Sequence, residues 1–170
     1  MRREDIIRLK DYAANIKPDN YQQFLALLAF AMNCETIVEL GVAELVTSNM
    51  LAIACPDAIV TGIDIDNGYF RNAKHPNMCM IKADSIEAAN SFVGKIDLLF
   101  IDAEHTYENT IGNYNAWKRW VREGGLIVFD DLNCPSEFPD LLKIPVELGE
   151  DYIPLNELHH SGFGCIINKK

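Results

Sequence analysis

Apolar residues along this chain follow two alternating rhythms. Ile6, Ile7, Leu9, Ala13 and Ile16 share one helical face, so residues 4–16 are expected to form a helix. A second helix should follow Pro18-Asp19 and run through Tyr21, Phe24, Leu25, Leu28 and Met32. Short apolar runs then alternate with helical stretches. Thr36-Ile37-Val38-Glu39-Leu40-Gly41 is β-rich and closes on glycine, so it reads as strand one. Residues 58–64, 78–81, 96–102 and 126–130 read as the next four strands, the last entered through Gly124-Gly125. A helix is expected at 45–54, ended by Pro56, and a long one through Tyr107, Ile111, Tyr114, Trp117, Trp120 and Val121. The helical spacing of those aromatics points to core packing rather than to an aromatic substrate box.

Continuously apolar strands separated by helices imply a parallel sheet covered on both faces. The tail differs. Ile144 to Leu148 reads as strand six and Phe163 to Asn168 as strand seven, with no room for a crossover helix between them. That requires an antiparallel return near the C-terminal edge. The loop from Gly149 to Gly162 should then emerge beside the end of strand five. Its Tyr152, His159 and His160 read as a solvated loop, with an acceptor pocket as the alternative. The expected fold is a doubly wound α/β sheet of seven strands, mostly parallel, with helices on both faces. One domain should span 1–170, with N-terminal helices over 1–34 and the core sheet over 35–170.

Hydrophobic residues make up 49% of the 170 residues, enough for a full core, and no run is long and apolar enough for a membrane span. The start turns acidic at Glu4-Asp5 rather than apolar, so a cytoplasmic protein is expected. The scattered cysteines lack C-x-x-C spacing, and buried reduced thiols are expected over a zinc site. A net charge of −10 repels phosphate backbones, so a small-molecule substrate is expected and nucleic acid is not.

Charge also marks the strand ends. Glu39, Asp64, Asp102 and the pair Asp130-Asp131 stand at or near the carboxyl ends of strands one, two, four and five. In an open parallel sheet that edge binds ligands. An acid after strand two can accept ribose hydroxyls, with Asp64 the first choice and Asp66 the second. Gly41 lets a ligand approach the backbone. The G-x-G-x-x-G of a nicotinamide enzyme is missing, and Glu44 would repel a pyrophosphate. A ligand with a ribose, no phosphates and positive charge fits better, and S-adenosylmethionine is such a ligand.

At this point the chain resembles the class I S-adenosylmethionine-dependent methyltransferases. It is most similar to the Methyltransferase 24 family and the macrolide-sugar and antibiotic O-methyltransferases. Ile37-Val38-Glu39-Leu40-Gly41-Val42 resembles the first motif, and Gly62-Ile63-Asp64-Ile65-Asp66 the ribose-binding acid. Ile81-Lys82-Ala83-Asp84-Ser85 resembles the stretch that meets adenine through its acid and the residue after it. Residues 100–108 resemble the "IDGDHSYE" block and residues 124–131 the "GGLIVFDD" block, the two most specific matches. The chain departs from the fuller E/D-x-G-x-G-x-G pattern at Ala43 and Leu45, and Ala103 stands where glycine is frequent. The first departure bears on the methionine end of the cofactor, not on the fold.

The resemblance implies a Rossmann-like methyltransferase. Glu39, Gly41, Asp64, Asp84, Ser85 and Asp102 would contact the cofactor, and His105 would be the general base. If strands four and five are neighbours, Asp102, Asp130 and Asp131 converge, and their repulsion requires protonation, a cation or divergent side chains. Sugar O-methyltransferases hold magnesium at the corresponding acids, so the resemblance implies these three as Mg²⁺ ligands. The expected reaction is methyl transfer to a hydroxyl of a small molecule such as a sugar or natural product. An N-methyltransferase is disfavoured, because Asp102-Ala103-Glu104-His105 stands where an Asn/Asp-Pro-Pro-aromatic run would be. From another class, a degenerate fold acting as a cofactor- or partner-binding module is the alternative that the lost glycines favour. A homo-oligomer is open, with helix 4–16 as either lid or dimer contact.

Overall fold

The computed structural model describes residues 3–4 and 21–169. The helix expected over 4–16 lies, apart from Glu4, outside them. The first described helix, α1 (Tyr21–Ala31), buries Phe24, Leu25 and Leu28 along one side. It leads into β1 (Thr36–Leu40), α2 (Val46–Ala54), β2 (Ile59–Asp64) and β3 (Met78–Lys82). Then come the short α3 (Ser85–Ala88), β4 (Ile96–Ile101), α4 (Tyr107–Trp117) and β5 (Val121–Asp130). The chain ends with α5 (Lys143–Leu148), β6 (Ile153–Pro154) and β7 (Phe163–Ile167).

The strands form one seven-stranded sheet in the order β3-β2-β1-β4-β5-β7-β6. It is parallel from β3 to β5, and β7 pairs antiparallel with both β5 and β6. Strand residues alternate between two cores, which is why the strands read as continuously apolar. Ile37, Leu98 and Val128 face α1 and α2, packing with Leu25, Leu28 and Leu51. Val38, Leu99 and Ile127 face the other way, toward Trp117 of α4 and Ile144 of α5. Trp117 is fully buried and its indole N–H donates to the Ser85 carbonyl at 2.7 Å, while Trp120 donates to Ala89 at 2.9 Å. The aromatic positions of this region therefore serve the core, as their spacing suggests.

At the amino-terminal edge of the sheet, Asp97 accepts from the amides of Glu35 and Thr36 at 2.8 and 2.9 Å and pairs with Arg122. This ties β1, β4 and β5 together opposite the acidic edge. Burial raises the Asp97 carboxyl, but these donors outweigh it and hold the group below its ordinary range.

Three expectations need correction. Residues 144–148 are not strand six but lie in α5. Leu141, Ile144 and Leu148 recur at helical spacing, and Pro145 sits in the first helical turn, where no N–H partner is lost. The edge strand is the two-residue β6, and its Pro154 suits an edge that donates to no further neighbour. Third, α4 stops at Trp117, and Val121 opens β5 rather than ending the helix. The register of β5 against β4 shifts between Ile96 and Leu98, so the strand reaches further back than its apolar run. Because β6 runs antiparallel to β7, and β7 antiparallel to β5, the loop after β6 still emerges at the acidic edge.

Candidate active site

The sheet order reverses between β1 and β4, and the crevice at such a switch point is where a doubly wound sheet binds ligands. A cleft of about 560 Å³ opens there. Glu39, Gly41, Asp64, Asp84, Ser85 and Asp102 all line it, and so does His105. Asp66 does not: it takes the Gly68 amide at 2.9 Å in the turn after β2.

The loop after β1 forms one wall. Gly41 has φ +80, and a Cβ there would collide with the Asp102 carbonyl oxygen and lie 2.7 Å from Ala103 Cα. Only glycine lets the β1 and β4 loops pass this closely. Ala43 and Leu45, where the fuller motif has glycines, keep positive φ values of 35 and 66. The glycine-like course of the loop thus survives the loss of the glycines. Asp64 braces it, accepting from the amides of Val42 and Ala43 at 2.9 and 3.2 Å with one oxygen. Its other oxygen takes the Asp66 amide at 2.8 Å. Asp84 likewise caps α3, accepting from Ile86 and Glu87 at 2.9 Å each. Both acids have structural duties, yet a carboxylate offers about four acceptor sites, so each can still meet a ligand.

Glu39 is buried at the floor and takes a hydrogen bond from the Ser48 hydroxyl. Burial pushes its carboxyl well above the ordinary range; the Ser48 bond opposes this, while Asp102 and Asp64 add to it. A cationic ligand group in the cleft would relieve that penalty.

Beside the cleft the ends of β4 and β5 bring Asp102, Asp130 and Asp131 together. His105 sits between them, with Nε2 3.4 Å from Asp102 Oδ1 and 3.0 Å from Asp131 Oδ2. Those two hydrogen bonds raise the imidazole to about 10 despite its partial burial. Asp130 is pushed well above the carboxylate range by burial, then by the charges of Asp102 and Asp131. Burial also raises Asp102. At Asp131 burial raises the group, but the hydrogen bond and charge of His105, with His159 and Ser161, together outweigh it and hold it below its ordinary range. Asp131 has φ 56, a left-handed conformation that aspartate tolerates better than most residues.

One group at this corner was not foreseen as part of the acid cluster. His159, on the loop after β6, places Nε2 3.5 Å from Asp130 and 3.8 Å from Asp131. Asp130, Asp131 and His159 each offer a donor atom, all within 4.8 Å of one another. Sequence spacing could suggest only that this loop lies near the edge, since its contact with Asp130 depends on β7 folding back. Of its companions, His160 packs edge-on against His159, and Tyr152 lies against Gly164 and the second core, away from the cleft.

Residues 38–132 match the Methyltransf_24 family, a methyltransferase domain. Uncharacterized protein R132 of Acanthamoeba polyphaga mimivirus is 39% identical over 57 residues, covering 31% of this chain and 26% of that protein. The match thus spans about a quarter of the viral relative's length. Among solved structures, the O-methyltransferase TomG of Streptomyces achromogenes, in complex with SAM, has a TM-score of 0.70 at 16% identity, covering 88% of this chain and 80% of TomG. An O-methyltransferase of Bacillus cereus, in complex with SAH, has a TM-score of 0.63 at 18% identity, covering 97% of this chain and 90% of its own.

Proposed function

Because the chain belongs to the Methyltransf_24 family of S-adenosylmethionine-dependent methyltransferase domains, we propose that it methylates a hydroxyl of a small molecule, a sugar or natural product, with the help of a divalent cation. One observation carries this reading: a single cleft at the switch point gathers Glu39, Gly41, Asp64, Asp84, Ser85, Asp102 and His105. Asp64 suits the ribose, Asp84 and Ser85 the adenine, and Glu39 the cationic methionine end. The retained left-handed course at Ala43 and Leu45 supports a working cofactor loop despite the lost glycines.

In the reaction the acceptor oxygen attacks the methyl carbon in line with the carbon–sulfur bond. An O–C bond forms, and the C–S electron pair returns to sulfur, leaving the neutral thioether S-adenosylhomocysteine. The hydroxyl proton passes to His105. Much of the rate comes from holding oxygen and methyl in line. The clustered acids at the ends of β4 and β5 fit a cation, because three carboxylates meet there with two of them buried. Asp102, Asp130 and Asp131 would hold it, and it would lower the pKa of the acceptor hydroxyl. Positive charge among these acids also weakens their pull on His105, bringing the imidazole toward the range of a useful base.

The test is methyl transfer from isotope-labelled S-adenosylmethionine to a panel of hydroxylated compounds and their amine analogues. His105→Gln should lower kcat by about 10²–10⁴-fold while leaving S-adenosylhomocysteine affinity unchanged. Methylation of amines alone would overturn the acceptor class, and an unchanged kcat would remove His105 as base.

A further inference from the structure

The loop after β6 brings an imidazole to the acid cluster and holds it there. His159 stacks on Tyr21 of α1, with centroids 4.4 Å apart and planes 9° from parallel. Tyr21 is itself packed against Phe163 and Phe100 at 5.5 and 6.4 Å. The stack leaves the ring edge, with Nε2, toward Asp130 and Asp131. The loop is also bonded to the turn that carries those acids. The Asn133 amide donates to the Ser161 carbonyl at 2.8 Å, and Gly162 donates to the His159 carbonyl at 3.1 Å. Gly162 has φ +90, and a Cβ there would collide with the Asn133 backbone, so loop and turn interlock. Ser161 additionally hydrogen-bonds the Asp131 carboxylate. Imidazole and carboxylates are therefore set by one rigid corner, joined through α1, β5 and the β6–β7 loop.

This changes the chemistry of the donor set. Carboxylates alone suit Mg²⁺, which prefers oxygen and dehydrates reluctantly. Two carboxylates with an imidazole form a mixed oxygen and nitrogen set, which suits first-row transition ions. Resting on the reading of this corner as a cation site, we propose that His159, rather than Asp102, is the third direct ligand of the cation beside Asp130 and Asp131, the three donor atoms lying within 4.8 Å of one another, and makes the site select a divalent transition ion, from Mn²⁺ to Zn²⁺, over Mg²⁺. His105 stays outside the ligand set, since its Nε2 faces the opposite oxygen of Asp131. Tyr21 is a positioning residue, acting through the face of the His159 ring.

The experiment is calorimetric titration of the whole chain with Co²⁺ and, separately, Mg²⁺, each followed by S-adenosylhomocysteine. The wild type should bind Co²⁺ at least about tenfold tighter than Mg²⁺. His159→Phe preserves the stack on Tyr21 but removes the ligand nitrogen. It should weaken Co²⁺ by about 10–100-fold and Mg²⁺ far less. His160→Phe, one position along, should change neither. Should His159→Phe fail to fold, nitrogen NMR of the wild-type imidazoles with Zn²⁺ decides, and His159 Nε2 should shift while the His160 and His75 rings do not. Equal Co²⁺ and Mg²⁺ affinities, an insensitive His159→Phe protein, or an unmoved His159 resonance would each overturn the proposal while leaving the cation site standing. No cation binding at all would overturn both, and the S-adenosylhomocysteine titration would still report separately on the cofactor cleft.

Discussion

Ala43 and Leu45 carry left-handed backbone in the loop that walls the cleft, a conformation costing an L-residue about 1–2 kcal/mol. Leu45 offsets this by complete burial, whereas Ala43 is exposed and gains nothing from its methyl group. Ala43→Gly should therefore stabilise the protein by about 1 kcal/mol, raising Tm by about 2–4 °C in scanning calorimetry. An unchanged or lower Tm would mean that the loop is not strained there. Gly41→Ala should act oppositely, since its Cβ meets the backbone of residues 102–103. A loss of about 2 kcal/mol or more, with weakened cofactor binding, is expected. Glu39, Asp64 and Asp102 were legible in the sequence as acids at strand ends, which mark a ligand edge, while Asp84, Ser85 and His105 rested on the family resemblance. Their second duties were not legible. Nothing in the spacing says that Asp64 braces the loop after β1, or that the lost glycines keep a glycine-like backbone.

Elements were legible where an apolar run had one interpretation. β1, β2 and β4 fall where their apolar runs place them, because each is buried on both faces over most of its length and length alone separates them from helices, while β3 falls at its predicted place although it is the half-exposed edge of the sheet. The 144–148 segment failed because Ile144, Val146 and Leu148 alternate like a strand. The helical set Leu141, Ile144 and Leu148 competes with that alternation, and burial decides for it: Ile144 is 0% exposed and Val146 79%. Ile144→Ala should cost about 2–5 kcal/mol in urea unfolding, and Val146→Ala less than about 0.5 kcal/mol. Equal losses at the two positions would restore the strand. His159 was placed only on a loop near the edge, since the expected antiparallel return sets the loop beside strand five but no periodicity announces the two-residue strand from which it approaches Asp130.

Across the whole molecule, charge is arranged by edge. The amino-terminal edge is neutralised by Asp97 with Arg122, while the carboxyl-terminal edge concentrates acids around the cleft. The folded-state pKa of Asp97 lies below its unfolded value, so its contribution to stability is present above about pH 4 and is lost as pH falls through the folded value. Asp97→Asn should flatten that acid limb in a Tm-against-pH series; an unaltered limb would remove the contribution. The sheet order, with its reversal between β1 and β4, opens a ligand crevice among the described residues, and the proposed cofactor is expected to bind there. Calorimetric titration with S-adenosylmethionine, S-adenosylhomocysteine and NAD⁺ tests this most directly. Saturable one-to-one binding of both adenosyl ligands, weakened in Gly41→Ala and absent for NAD⁺, is the expected result. Binding of NAD⁺, or of neither adenosyl ligand, would contradict the methyltransferase assignment of this cleft.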